Sequence, residues 1–218
     1  MSDIKEELVR KHLALVIEAN KITNITRIAS EKEGMILHVE DSLSGLEEIN
    51  QCVEGLYGDM GSGAGFPGIP LAIYTGRRTV LIDSVGKKTK ILDSFIKELE
   101  LSDVETYNGR LEELALEKPG QFSVLTARAV SKLGSLMELS SPLLKTGGRL
   151  ICYKSHIEDD ELNHAKKLKD KLGMRLISDR DFYLSDGQTY RRIVVFEKFK
   201  KPAIKLPRNV GMAQKKPL

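Results

Sequence analysis

The run Gly58-Asp59-Met60-Gly61-Ser62-Gly63-Ala64-Gly65-Phe66-Pro67-Gly68 places four glycines in positions 61–68, just behind an acid. Glycine loses more conformational freedom on folding than other residues, so such a cluster marks a sharp turn or a backbone passing close to a ligand. The order is Asp59-x-Gly61-x-Gly63-x-Gly65. Started from Gly61, the dinucleotide fingerprint G-x-G-x-x-G needs a glycine at 66, where Phe66 stands. No Lys-Ser or Lys-Thr follows at the spacing of a phosphate-binding P-loop. Asp83 ends the next apolar run, TVLID, 83 − 65 = 18 residues beyond Gly65. A carboxylate there can accept hydrogen bonds from both hydroxyls of an adenosine ribose. S-adenosylmethionine carries adenosine, a sulfonium and an amino-acid end but no phosphate, and Asp59 can face its ammonium group. It suits the pattern better than a dinucleotide.

Other chemistry-bearing residues form weaker patterns. Cys52 and Cys152 stand far apart, and His12, His38, His156 and His164 form no zinc-type cluster, so no metal is expected and the thiols read as buried and reduced. His38 and Asp41 invite a catalytic reading, but their i, i+3 spacing equally suits a local hydrogen bond or cap. Asn20, Asn24 and Thr26 fit either a capping loop or contacts to a ligand.

These residues need a scaffold. Val9, Leu13, Val16 and Ile17 mark an amphipathic helix, and a second helical stretch covers about 31–50. From residue 55 the texture alternates: GLYGDM, IPLAIYT, TVLID and KKTKILDSFIKELEL read as strand, helix, strand, helix. The alternation continues through VETYN (104–108), FSVLTARAV (122–130), a helical SKLGSLMELSSPLLK, GRLICYK (148–154) and a charged helix over about 157–172. MRLISDRDFYL and TYRRIVVFEKF, separated by Ser185-Asp186-Gly187-Gln188, read as an antiparallel pair. The expected fold is α/β: a mostly parallel sheet with helices on both faces and a terminal hairpin.

The chain has 218 residues, 41% hydrophobic and 30% charged, as suits one large domain with an extension. No apolar run approaches the roughly 20 residues that span a bilayer, and the first residues lack a secretory core, so a cytoplasmic protein without membrane contact is expected. The net charge is +3, but seven of the 34 Lys and Arg lie from Lys198 onward with no acid, leaving 34 − 7 = 27 against 31 acids elsewhere. The positive excess sits in the tail, as in chains that touch nucleic acid.

GDMGSGAGFPGIPLAIY, LIDSVGKKTKIL, GRLEEL (109–114) and TARAV (126–130) resemble the bacterial rRNA guanine-N7 methyltransferase family, also called glucose-inhibited division protein B. The likeness extends to NKITNIT (20–26), HVEDSL (38–43) and LPRNVGMAQKKPL at the end. Met60, TARAV and NVGMAQ depart mildly from the usual pattern. The resemblance implies a Rossmann-like class I S-adenosylmethionine-dependent methyltransferase fold with a seven-stranded sheet. It divides the chain into an N-terminal helical extension (1–50), the methyltransferase domain (51–199) and a basic tail (200–218).

It further implies methyl transfer to N7 of one guanine in 16S rRNA, presented as a small subunit or an assembly intermediate, by a monomer yielding S-adenosylhomocysteine. The cofactor site would comprise Asp59, Gly61, Gly63, Gly65, Phe66, Asp83, Ser84, Leu111, Glu112 and Arg128. Candidate RNA contacts are Asn20, Asn24, Lys87, Lys88, Arg128, Arg191, Arg192, Lys205, Arg208, Lys215 and Lys216, with Glu40, Asp41 or Tyr57 available to face the positive charge of the product. Guanine N7 carries a free lone pair and no proton, so positioning suffices and no general base is required. A small-molecule methyltransferase and a non-catalytic RNA- or nucleotide-binding assembly factor are the alternatives.

Overall fold

A computed structural model describes residues 2–26, 28 and 30–218. The described chain opens with α1 (Ser2–Thr23), α2 (Glu31–Gly34), a π-helical segment Met35–Glu40, α3 (Asp41–Leu43) and α4 (Leu46–Asn50). Alternation follows: β1 (Leu56–Met60), α5 (Gly68–Thr75), β2 (Thr79–Asp83), α6 (Gly86–Glu98), β3 (Val104–Asn108), α7 (Leu111–Glu117), β4 (Phe122–Arg128), α8 (Leu133–Ser140) and β5 (Leu144–Lys154). The chain continues through α9 (Asp159–Lys167), α10 (Lys169–Leu172), β6 (Met174–Tyr183), β7 (Tyr190–Lys198) and α11 (Met212–Lys215).

The seven strands form one sheet in the order β3-β2-β1-β4-β5-β7-β6. β1 to β5 pair in parallel, while β7 runs antiparallel to both β5 and β6. The expected α/β architecture and terminal hairpin are therefore present. The order reverses between β1 and β4, which is where an open parallel sheet forms its ligand crevice.

Because successive strand side chains point to opposite faces, each strand feeds two cores. Met60, Ile82, Leu125, Ala127 and Leu150 pack on one face with Leu114, Leu136, Met137 and Leu168 from α7, α8 and the α9–α10 junction. Leu81 packs on the other with Ile69, Leu92 and Phe95 of α5 and α6. Val9, Leu13 and Val16 of α1 enter this second core. The N-terminal extension is thus bound by the same hydrophobic effect that holds the sheet.

Some boundaries differ from the sequence reading. The helix expected to run to residue 145 stops at Ser140, because Pro142 has no N–H with which to continue it, and β5 already begins at Leu144. β4 ends at Arg128, where Ala129 takes a left-handed φ of 57°. The stretch 31–50 is broken helix with a π-type turn rather than one rod. Cys52 and Cys152 are buried, as expected.

The basic tail is docked on the domain. Phe199 N donates to Gly173 O at 3.0 Å, Ala203 N to Lys171 O at 3.0 Å and Ser135 Oγ to Ala213 O at 2.6 Å. Ile204, Leu206 and Leu218 pack against the main core. Arg208 makes two bonds to the buried carboxylate of Glu138, at 2.7 and 2.6 Å. Removing one partner of such a pair leaves a buried charge uncompensated, so Arg208→Ala should cost about 3 kcal/mol in urea unfolding and speed amide exchange over 200–218. Unchanged exchange there would contradict this anchoring.

Candidate active site

The glycine loop turns at the carboxyl end of β1, and neighbouring strands hold it from beneath. Gly61 N and Ser62 N both donate to Ile82 O, at 2.8 and 3.0 Å, while Ser62 Oγ donates to Asp59 O at 2.9 Å and accepts from Ile82 N at 3.1 Å. Gly63 N donates to Asp83 Oδ2 at 3.0 Å, and Gly65 N to Ser62 O at 2.7 Å. Gly61, Gly63 and Gly65 have φ of 73°, 57° and 91°, the left-handed region where a side chain is strained. Gly61 is exposed at the loop surface, and only Val130 Cγ2 would crowd a Cβ there, at 2.8 Å.

Counted from Gly63, the run does satisfy G-x-G-x-x-G through Gly65 and Gly68, which corrects the sequence argument against a dinucleotide. Gly68 plays the packing role of a third glycine: a Cβ there would lie 2.4 Å from Leu81 Cδ2 and 2.7 Å from Asp59 Oδ2. The hydrogen bonds supply the better argument. A phosphate on a helix N-terminus needs backbone N–H groups aimed at it, yet those of Gly61, Ser62, Gly63, Gly65 and Gly68 already have partners inside the protein.

Asp59 is only 1% exposed. Its Oδ1 accepts from Thr126 Oγ1 at 2.7 Å, and its Oδ2 from Gly68 N at 3.2 Å. Tyr57 is fully buried with its hydroxyl 2.8 Å from the same Thr126 Oγ1. Asp59 therefore fixes the loop from within rather than facing an ammonium at its surface, and Tyr57 cannot face a product base. Burial raises the Asp59 carboxyl to about 6, against opposing bonds from Thr126 and Ser62, the Arg128 charge and the Gly68 N–H.

Asp83 ends β2 with Oδ1 accepting from Val85 N at 2.9 Å and Oδ2 from Gly63 N. Each carboxylate oxygen has a second lone pair, so a ribose can still be bound. Ser84 is exposed beside it. Leu111 is half-buried against the main core. Glu112 is turned to the tail, its Oε1 accepting from Gly211 N at 2.8 Å.

Phe66 is the hinge between loop and extension. It is 4% exposed, stacks on His38 at 4.5 Å and 6°, and lies 4.4 Å from His12. His12 Nε2 donates to Ala64 O at 3.0 Å, and burial lowers its pKa to about 3. His38 Nδ1 lies 3.2 Å from Arg128 Nη2; a guanidinium only donates, so Nδ1 accepts and Nε2–H donates to Thr26 Oγ1 at 2.8 Å. Burial and then the Arg128 charge lower the His38 pKa to about 4.

Asp41 is 2% exposed and bridges two arginines: its Oδ2 accepts from Arg128 Nη1 and its Oδ1 from Arg191 Nε, each at 2.9 Å. Arg128 Nη1 also donates to Leu37 O at 3.2 Å. His38 and Asp41 thus have protein partners on both nitrogens and both oxygens, but these partners are the distant Thr26, Arg128 and Arg191 rather than each other, so the expected local i, i+3 side-chain bond gives way to contacts across the fold. Glu40 is engaged with Ser185.

The candidate RNA contacts divide. Arg128 and Arg191 are held by Asp41, Arg192 by both oxygens of Asp179 at 2.7 Å, and Arg208 by Glu138. Asn20 Oδ1 accepts from Thr26 N at 3.0 Å, and Asn24 bends the chain with φ 43°. Lys87, Lys205, Lys215 and Lys216 are exposed and Lys88 is half-buried. Sequence reasoning missed His12, Ser62, Thr126 and Val130. Apart from the bond of Ser62 to Asp59, their partners lie 20 to 69 residues away, beyond any local pattern.

This strand order with the loop and acid after β1 and β2 defines a class I methyltransferase fold. Solved structures of low identity share it: M. jannaschii TYW2 in complex with AdoMet (TM-score 0.55, 17% identity, 78% of this chain and 80% of that one), and a precorrin-6y methyltransferase from Geobacter metallireducens (TM-score 0.54, 12%, 72% and 87%). The model of the rRNA small subunit methyltransferase G family matches residues 5–180. Relatives named ribosomal RNA small subunit methyltransferase G are 36% identical in Streptococcus suis and 32% in Lactobacillus acidophilus. Each alignment covers all of this chain and 93% of the relative. The chain belongs to the rRNA small subunit methyltransferase G family.

The raised Asp59 pKa has a sign. The neutral carboxyl is favoured by the fold, so its contribution to stability is complete below the unfolded value of 3.8 and is lost as pH rises through about 6. Between pH 5 and 7.5, Asp59→Asn should gain stability relative to the native protein, read from urea midpoints at both pH values. Parallel pH profiles would contradict a charge buried at this position.

Proposed function

We propose that this protein transfers a methyl group to N7 of a guanine in small-subunit 16S rRNA. Family membership over the whole chain carries the reading. S-adenosylmethionine is the methyl donor, and it supplies a methyl already activated on a sulfonium. The site fits it: Gly63 leaves room at the loop surface, the amides of Gly61, Ser62, Gly63, Gly65 and Gly68 have internal partners, and Asp83 keeps lone pairs for a ribose.

The chain's own residues then act by position. Guanine N7 offers a lone pair without a proton, so holding nucleophile and methyl carbon in line is the main requirement, and orientation of this kind supplies roughly 7–11 kcal/mol. The protein partners on His38 and Asp41 agree with a site that needs no general base. The exposed lysines 87, 205, 215 and 216 are the proposed phosphate contacts. The target is an unpaired or flipped guanine, reached in the cytoplasm on a small subunit or its precursor. Residues 1–50 serve this catalytic domain as a brace, and 200–218 as an anchored basic edge.

Small subunits from cells lacking the protein should take up labelled methyl from S-adenosylmethionine, and digestion should return the label as 7-methylguanosine from one position. Label on another base or atom, or none on subunit or free rRNA, would overturn the assignment. Asp83→Asn keeps the size of the side chain but removes the charge from the ribose site. It should lower S-adenosylmethionine affinity by about tenfold or more, the worth of a hydrogen bond to a charged group. Unchanged calorimetric affinity would contradict the ribose role.

A further inference from the structure

The β6–β7 hairpin carries a feature that neither core nor cofactor loop explains. β6 runs antiparallel to β7, which runs antiparallel to β5, so β6 points the same way as β1 and β4. Its last residue, Tyr183, therefore emerges on the edge of the sheet that bears the glycine loop, Asp83 and Arg128. It lies three strands from β4, or about 14 Å at the usual strand spacing.

Tyr183 is 63% exposed, although Leu184 beside it is 3% exposed. It pairs across the ladder with Tyr190, with ring centroids 5.6 Å apart at 70°. The turn that joins them is held firmly. Leu184 N donates to Thr189 O at 2.9 Å, and Asp186 Oδ1 accepts from Gln188 N at 2.9 Å and Thr189 N at 2.8 Å. Ser185 N donates to Glu40 Oε1 at 2.6 Å, which ties the turn to the π-helical segment that also carries His38.

The charges around the pair do not favour a phosphate. Asp186 lies in the turn, Asp181 pairs with Arg192 across the ladder, and Arg192 is already held by both oxygens of Asp179. What the hairpin offers is a preorganised aromatic face. Single-stranded RNA is gripped by such faces through stacking, whatever the base.

We infer that Tyr183, backed by Tyr190, is a stacking platform for an unpaired base of the small-subunit rRNA near the target guanine. This inference rests on the proposed substrate. Tyr183→Ala should raise KM for small subunits about tenfold, the worth of one base–aromatic stack, and Tyr183→Phe should restore it. Affinity for S-adenosylmethionine and the dependence of subunit binding on salt should stay as in the native protein, because no phosphate contact is lost.

The chain contains no tryptophan, so Tyr183→Trp places a single tryptophan, excited selectively over the tyrosines, at the platform. Its emission should be quenched when small subunits are added and return when they are competed away. Native protein that labels small subunits, together with an unchanged KM for Tyr183→Ala or an unquenched Trp at 183, would overturn the platform alone. Native protein that labels no rRNA would overturn the substrate and the platform together.

Discussion

One buried carboxylate, Asp41, holds three separate parts of the chain together. It lies just beyond the π-helical segment and pairs with Arg128 at the end of β4 and Arg191 at the start of β7. Burying a charge costs several kcal/mol unless its partners are well placed, and here both oxygens have a guanidinium nitrogen at 2.9 Å. Arg128 then reaches His38, and His38 stacks on Phe66 of the glycine loop. The helical extension, the glycine loop and the hairpin are therefore one connected assembly at the carboxyl edge of the parallel strands.

That assembly explains how the loop can be both glycine-rich and rigid. Left-handed φ values at three glycines set its path, and the bonds from Ile82, Asp83 and Asp59 lock it. Because the amides of Gly61, Ser62, Gly63, Gly65 and Gly68 have partners inside the protein, these five are not aimed at a phosphate. The folded protein accepts a partly protonated Asp59 at neutral and lower pH as the consequence of anchoring the loop from inside.

The fold was largely legible because its signals are local. Alternating apolar runs and amphipathic stretches gave the strands and helices, and the four-residue link at Ser185–Gln188 gave the antiparallel hairpin. Glycine spacing and Asp83 drew attention to the loop for the same reason, and the structure brings them together through the bond from Gly63 N to Asp83. The roles of individual charges were not legible. Arg128 and Asp41 are 87 residues apart, Arg191 and Asp41 150, and Glu112 and Gly211 99. A local pattern shows a cation or an acid but not its distant partner, so Arg191, Arg192 and Arg208 read as free phosphate ligands and prove to be paired. Asp59 looked like a ligand contact because sequence shows its place in the strand but not that its side chain faces inward. His12 was weighed only as a metal ligand, because a polar residue on the buried face of α1 becomes meaningful only when Ala64 and Phe66 meet it.

The glycine loop combines dinucleotide-like spacing with internally bonded amides, and its proposed ligand is a sulfonium cofactor. Calorimetric titration of the purified protein with S-adenosylmethionine, S-adenosylhomocysteine and NAD tests it most directly. One-to-one binding of the first two and no heat of binding with NAD are expected. Saturable NAD binding without S-adenosylmethionine binding would contradict it.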